Sequence, residues 1–164
     1  MPLFTGSKDD YKWIREVVEQ CCDGVDAKIS WHFCYGNAWG NDLLSGSFPE
    51  GYQTVLPYYF ETKGIDEFVL DFANRDMAGI DFLKNLPQNK SVQIGVLDVR
   101  TNAIETPERV AARIRKVIAA VPADRVTLST DCGMKPLSRY VAKAKLKALV
   151  DGAAIVRGEL MGAR

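Results

Sequence analysis

The 164-residue chain has a size and a composition that suit one compact domain. Hydrophobic residues make up 47% of it, and a chain of this length buries roughly two-thirds of the surface that it exposes when unfolded. Lysine plus arginine and aspartate plus glutamate each total 21, so the excess of positive charge that draws a protein onto nucleic acid is missing. We find no apolar run of the roughly 20 residues that a membrane helix needs and no signal peptide. We therefore expect a cytoplasmic protein with neither nucleic acid nor a membrane as its partner.

Helices and strands are predicted to alternate along the first half of the chain. Ser7 can cap a helix that ends before Gly24, because apolar residues recur at three-to-four spacing over residues 7–22. A short aromatic and β-branched run at residues 27–34 predicts a strand, followed by a glycine-containing loop at 36–47. The remaining segments of this half are a helix at residues 52–62, a strand at 67–72 and a helix at 77–86.

The second half of the chain repeats this alternation. Thr106 is predicted to cap a helix that runs to about residue 120. The other segments are strands at residues 91–99 and 126–129 and a helix at 137–161, with Gly152 as its expected weak point. Apolar strands separated by helices are typical of a parallel sheet covered by helices. We therefore predict an α/β fold in one domain, residues 1–164, with four β/α units that form either half of a TIM-type (β/α)8 barrel or a small open sheet.

Residues that can bind a metal follow three of the predicted strands. His32 and Cys34 are two positions apart on the first strand, so their side chains point to the same side. Asp71 ends the second strand, and Cys132 follows the fourth. One nitrogen, one oxygen and two sulfur donors make an acceptable tetrahedral zinc set, and the carboxyl ends of parallel strands lie at one edge of the sheet. The sequence thus predicts a zinc site at that edge, with a packed strand histidine as the alternative interpretation of His32.

Several motifs resemble the C-terminal catalytic barrel of cobalamin-independent methionine synthases in order and in spacing. The resemblance runs from about residue 28 to the end of the chain. Its motifs are His-Phe-Cys-Tyr-Gly-Asn from position 32, Phe-Val-Leu-Asp from 68, Gly-Val-Leu-Asp-Val from 95 and Asp-Cys-Gly-Met-Lys from 131. It implies a (β/α)8 barrel of which this chain supplies the last four units. It also implies zinc as the cofactor, with His32, Cys34, Asp71 and Cys132 in the ligand positions.

The chain departs from this family pattern in two ways. Asp71 stands where the family has a glutamate, and an aspartate reaches one methylene less far toward a metal. Arg100 stands where methionine synthases have a histidine thought to shuttle a proton, which an arginine cannot do because it stays protonated. We expect Arg100 either to hold an acidic group of a substrate or to be a solvated loop charge. Asp98 and Asp131, beside the predicted site, are expected either to orient ligands and bind substrate or to cap loops.

The family resemblance further implies zinc-dependent methyl transfer from a folate-like donor to a homocysteine-like thiol, as in methionine biosynthesis. A zinc ion with two thiolate ligands suits that chemistry, because a bound thiol loses its proton yet remains nucleophilic. Two other functions stay open: a non-catalytic half-barrel module, and a zinc enzyme that acts on a different thiol. Since a half barrel exposes two sheet edges, we expect the chain to associate with a second copy of itself or with a separate N-terminal half.

Overall fold

The described residues form a four-stranded parallel sheet with helices packed against it. A computed structural model of the chain describes residues 8–36 and 51–162. The strands are β1 (Ser30–Phe33), β2 (Glu67–Asp71), β3 (Ser91–Leu97) and β4 (Val126–Thr130). They lie side by side in the order of the sequence, and each neighbouring pair is parallel. The prediction of an α/β fold built on a parallel sheet is confirmed.

The α-helices of the described residues agree with the longest helical patterns in the sequence. They are α1 (Lys8–Cys22), α2 (Pro107–Ala120) and α3 (Arg139–Gly162), and none of them is long and apolar enough to cross a bilayer. Thr106 caps α2 as predicted, because its side-chain oxygen accepts a hydrogen bond from the Arg109 amide. The predicted cap of α1, Ser7, and most of the predicted loop at residues 36–47 lie outside the described residues.

Two segments that the sequence predicts as α-helices are instead short 3-10 helices. The segment at residues 52–62 contains the 3-10 helices Gly51–Thr54 and Leu56–Tyr58, with Pro57 inside the second one. A proline in the interior of an α-helix removes a hydrogen-bond donor and clashes with the preceding turn.

The predicted helix at residues 77–86 fails for a different reason. The backbone is left-handed at Asp76, Met77 and Gly79, with φ angles of 48°, 66° and 77°, and left-handed residues do not continue a right-handed helix. The 3-10 helices Ala73–Arg75 and Ile80–Asn85 flank this turn. One more 3-10 helix, Ala123–Arg125, precedes β4.

Gly152, the predicted weak point of the last helix, lies where two helices meet. Helix α3 continues without a break through this residue, which is buried. A Cβ atom at Gly152 would lie 2.7 Å from the Cβ and Cγ1 atoms of Val110 and 2.8 Å from the carbonyl oxygen of Pro107. The absent side chain therefore allows α2 and α3 to approach each other closely.

The two faces of the sheet have different characters. One face packs against the helices through a hydrophobic core that includes the fully buried residues Phe68, Leu70, Val92 and Ile94. Because side chains alternate along a strand, the residues between these point to the other face, which is largely polar. In register, its rows are Ser30, Glu67 and Ser91, then His32, Val69, Gln93 and Thr127, then Asp71, Gly95 and Ser129. The predicted site residues lie at the carboxyl end of this face.

Candidate metal centre

His32, Cys34 and Cys132 come together at the carboxyl ends of β1 and β4. One ligand atom from each lies within 4.8 Å of the other two. The sulfur atoms of Cys34 and Cys132 are 3.6 Å apart, although the two residues are 98 positions apart in the sequence. Two sulfurs bound to one tetrahedral zinc ion at about 2.3 Å each would be separated by about 3.8 Å. The donor atoms and their spacing therefore fit a zinc ion.

The surroundings of Cys34 favour a cation over a free thiolate. Burial, and after it the negative charge of Asp71, raises the pKa of Cys34 to about 12. The amide of Gly36 acts in the opposite direction, since it donates a hydrogen bond to the Cys34 sulfur at 3.2 Å. A thiol with this pKa keeps its proton at neutral pH unless a metal ion replaces it. His32 is exposed and both cysteines are half-buried, so the group is open to solvent on one side.

Asp71, the fourth ligand predicted from the sequence, does not join this group of three. Its side chain is fully buried, and its Oδ2 atom accepts a hydrogen bond from Arg100 Nη2 at 2.7 Å and one from the Tyr35 amide at 3.3 Å. Its Oδ1 atom accepts a hydrogen bond from the Tyr52 hydroxyl. Burial raises the pKa of Asp71, and the hydrogen bond and charge of Arg100 oppose that rise. The structure thus places Asp71 in a buried ion pair.

Arg100 connects three of the loops that surround the site. Only 7% of its side chain is exposed, so the interpretation of Arg100 as a solvated loop charge was wrong. Its Nη2 and Nε atoms donate to the carbonyl oxygen of Gly36 at 3.0 and 3.3 Å, and Nη1 donates to Asp131 Oδ2 at 3.4 Å. With the bond to Asp71, the guanidinium joins the chain after β3 to the ends of β1, β2 and β4.

Asp131 holds the loop that follows β2. Its Oδ1 atom accepts hydrogen bonds from the amides of Phe72 at 2.9 Å and Ala73 at 2.8 Å, and Oδ2 accepts one from the amide of Asn74 at 2.8 Å. Burial, and after it the charge of Asp71, raises the pKa of Asp131 to about 7. These contacts favour the loop-capping role of Asp131 over contact with substrate.

Asp98 is half-buried, and its Oδ1 atom accepts a hydrogen bond from the amide of Arg100 at 2.9 Å. A contact of Asp98 with substrate stays a prediction.

A buried ion cluster that the sequence analysis missed supports the loop after β3. Glu105 accepts hydrogen bonds from Lys145 Nζ at 2.8 Å, from Arg113 Nη1 at 3.3 Å and from the amide of Asp98 at 2.9 Å. All three charged side chains are buried. The signal available in the sequence is that Arg113 lies on the apolar face of α2, beside Val110 and Val117, where a charge needs a buried partner.

Comparison with known proteins assigns this α/β chain to a family. Residues 8–155 match the family model of the cobalamin-independent synthase catalytic domain, and the chain belongs to that family of enzymes. It is 37% identical to the 2-hydroxypropyl-CoM lyase of Xanthobacter autotrophicus, over 93% of this chain and 47% of that protein. It is 34% identical to a methionine synthase of Saccharolobus solfataricus, over 97% of this chain and 43% of that protein.

A solved structure extends the agreement to three dimensions. The B12-independent methionine synthase from Shewanella, in complex with selenomethionine, matches 92% of this chain with a TM-score of 0.80 and 34% sequence identity. The match covers 45% of that chain, so this chain spans less than half the length of each of these relatives. The family resemblance and the half-barrel fold that the motifs imply are therefore confirmed.

Proposed function

We propose that His32, Cys34 and Cys132 hold a zinc ion that activates a substrate thiol for alkyl transfer. The observation that carries this proposal is the meeting of one imidazole and two thiols at the sheet edge where β/α barrels bind substrates. Zinc bound there would lower the pKa of a coordinated thiol and keep its sulfur available as a nucleophile. The chain itself supplies the Gly36 amide, whose hydrogen bond to Cys34 stabilises negative charge on that sulfur.

The substrates that we propose are a homocysteine-like thiol and a folate-like methyl donor. The methionine synthases among the relatives support this choice. In the transfer, the thiol sulfur forms a new bond to the methyl carbon as the bond between that carbon and the donor breaks. The electron pair of the broken bond stays on the donor, which takes up the proton that the thiol loses. This chain spans less than half the length of these relatives, so we propose that the donor site also uses residues outside the matched part.

A second candidate function is chemistry on a thioether of a different small thiol. The similarity to a 2-hydroxypropyl-CoM lyase supports it, and so does Arg100, which cannot take the proton-shuttling role of the histidine in methionine synthases. The same zinc site would serve both reactions, because a small-molecule thiolate is a substrate or a product of each. The two functions differ in the thiol that the site accepts.

Zinc content and thiol binding test the proposal directly. Protein purified without chelator is expected to contain about one zinc ion per chain, and Cys132→Ser is expected to lose it. Cys21→Ser is the matched control, because Cys21 is an exposed cysteine of α1 outside the group. After cobalt substitution, homocysteine and coenzyme M are added in parallel, and the thiol that changes the visible spectrum identifies the reaction. A folded wild-type protein without metal would contradict both functions and leave a non-catalytic half-barrel module.

We also propose that a second half, either another copy of the chain or a separate N-terminal half, completes the barrel. Part of the polar face of the sheet is exposed, at Ser30, His32 and Thr127, and beside β4 lies an apolar groove. Its lining includes Val126, Leu128, Leu149, Val150 and Leu160. If the second half is another copy of the chain, light scattering is expected to give a mass above that of one chain. If it is a separate N-terminal half, the mass is expected to rise when that half is added. A monomer that shows no apolar surface to a hydrophobic dye would contradict this.

A further inference from the structure

We propose that Arg100 is a positioning residue that keeps the Asp71 carboxylate away from the metal, so that three protein donors hold the ion. The inference rests on the zinc site proposed above and concerns its coordination. The sequence gives Asp71 the position of a fourth ligand. The contacts of Asp71 assign it a different role.

Both oxygens of Asp71 accept hydrogen bonds from the protein. Oδ2 lies 2.7 Å from Arg100 Nη2, and Oδ1 accepts the hydrogen bond of the Tyr52 hydroxyl. The side chains of Asp71 and Arg100 are 0% and 7% exposed, so neither partner is hydrated as it would be at the surface. To reach a metal, Asp71 would have to leave a guanidinium buried without its closest counter-ion, which is strongly unfavourable.

Arg100 is itself fixed by contacts on other sides. Its Nη2 and Nε atoms bind the carbonyl oxygen of Gly36, and Nη1 binds Asp131, whose carboxylate is anchored by three backbone amides. The planar fork of a guanidinium can bind several acceptors at once in a fixed geometry. Arg100 therefore cannot follow Asp71 toward the metal, and the shorter reach of an aspartate adds to the separation.

A zinc ion held by these three protein donors would keep one coordination position for water or a substrate. Catalytic zinc sites hold the ion by three protein ligands and leave the fourth position to water or substrate. With His32, Cys34 and Cys132 as the three, a substrate thiol can bind without displacing a protein ligand. A site in which Asp71 is the fourth ligand would have to release a protein ligand or expand to five-coordination before the thiol binds.

A double-mutant cycle of zinc affinity tests the role of Arg100. Zinc dissociation constants are measured by competition with a chromophoric chelator for wild type, Asp71→Asn, Arg100→Gln and the double variant, with circular dichroism to verify folding. When Arg100 is present, we expect Asp71→Asn to change the dissociation constant less than about threefold. When Arg100 is replaced, we expect the same substitution to change it at least about tenfold, because Asp71 can then bind the metal. The visible spectra of cobalt-loaded wild type and Asp71→Asn should coincide.

Each other outcome overturns a separate claim. A tenfold or larger loss of affinity in Asp71→Asn with Arg100 present, together with a changed cobalt spectrum, would show that Asp71 is a ligand. An equally small effect of Asp71→Asn in both backgrounds would show that Arg100 does not keep Asp71 from binding the metal. If Arg100→Gln does not fold, Arg100→Met takes its place in the cycle. A wild type that binds no zinc, or a Cys132→Ser variant that retains it, would instead refute the zinc site itself.

Discussion

At the scale of single residues, the candidate metal centre depends on Gly95, which has no side chain to bind a metal. A Cβ atom at this position would lie 2.3 Å from Asp131 Oδ1 and 2.6 Å from Asp131 Cα, so no side chain fits between β3 and the start of the Cys132 loop. We expect Gly95→Ala to lower the free energy of unfolding by about 1–3 kcal/mol, as overpacking does. Because Asp131 precedes Cys132, zinc affinity should fall as well. Urea unfolding and chelator competition measure the two effects.

Gly133→Ala is the matched control for Gly95→Ala. It lies in the same loop as Cys132, and a Cβ atom there would meet nothing within 4 Å. Its stability should differ from wild type by less than about 0.5 kcal/mol, as is usual for surface substitutions. Equal losses in the two variants would show that the close approach of Asp131 to Gly95 does not matter.

The site residues divide into those that the sequence can predict and those that it cannot. The joint position of His32, Cys34 and Cys132 follows from strand ends alone, because parallel strands place their carboxyl ends at one edge. The pairing of Asp71 with Arg100 depends on whether the short aspartate side chain reaches the metal or the guanidinium. The spacing of residues in the sequence does not contain that information. The motif therefore pointed to four ligands where the contacts bring three together.

At the scale of elements, the crossing of α2 and α3 depends on Gly152. Alanine normally favours a helix over glycine by about 1 kcal/mol. At Gly152, however, its Cβ would lie 2.7 Å from Val110 and force the helices apart. We expect Gly152→Ala to destabilise the protein by about 1–3 kcal/mol.

Gly158→Ala, in the same helix with open space around it, should instead raise stability by up to about 1 kcal/mol. Thermal unfolding of the pair gives the comparison. A stabilising Gly152→Ala would contradict the close helix contact.

The Glu105 cluster, which joins β3, α2 and α3, gives stability a dependence on pH. Burial raises the pKa of Glu105, but the hydrogen bonds from Lys145 and the Asp98 amide outweigh it, and the pKa lies below its ordinary value of 4.5. A carboxyl group with a lowered pKa stabilises the fold above its unfolded pKa and loses that effect as the pH falls through the folded value. The wild type should therefore lose stability as the pH drops below 4.5.

Glu105→Gln tests this assignment. At neutral pH it should cost about 3–5 kcal/mol, because it leaves two buried cations without their carboxylate. The difference from wild type should shrink in acid, where Glu105 becomes protonated. The control is Asp151→Asn, which breaks the exposed pair with Lys147 and should cost less than about 0.5 kcal/mol. Urea unfolding across the pH range measures both variants, and a difference that stays constant with pH would contradict the assignment.

The elements also show where sequence patterns mislead. The strands were predicted because buried parallel strands are short continuous apolar runs. Residues 52–62 carry enough buried aromatic side chains, Tyr52, Tyr59 and Phe60, to imitate one face of a helix. Pro57 and the left-handed residues Asp76 and Met77 are local backbone constraints that override such periodicity.

At the scale of the whole molecule, the three candidate donors come from the two edge strands of the sheet and from the residues that follow them. His32 and Cys34 belong to β1 and its end, whereas Cys132 follows β4, and two strands lie between them. In a flat sheet, three strand spacings of about 4.8 Å would separate β1 from β4 by about 14 Å. The side chains meet because the sheet is curved, which brings its first and last strands closer together. A bound ion would therefore act as a cross-link between the first and last strands, which close a loop of 98 residues.

This cross-link predicts that metal stabilises the entire fold. Free zinc at about one hundred times its dissociation constant adds about 2.7 kcal/mol, which corresponds to a rise of about 5–10 °C in Tm for a domain of this size. Chelation of the wild-type protein should reverse this rise in Tm. It should not change the Tm of Cys132→Ser, and it should lower the Tm of Cys21→Ser as much as that of the wild type. Hydrogen exchange should accelerate after chelation at the ends of β1 and β4 before it does so in α2. Faster exchange confined to β1 would show that the ion is held by one strand and does not join the two edges of the sheet.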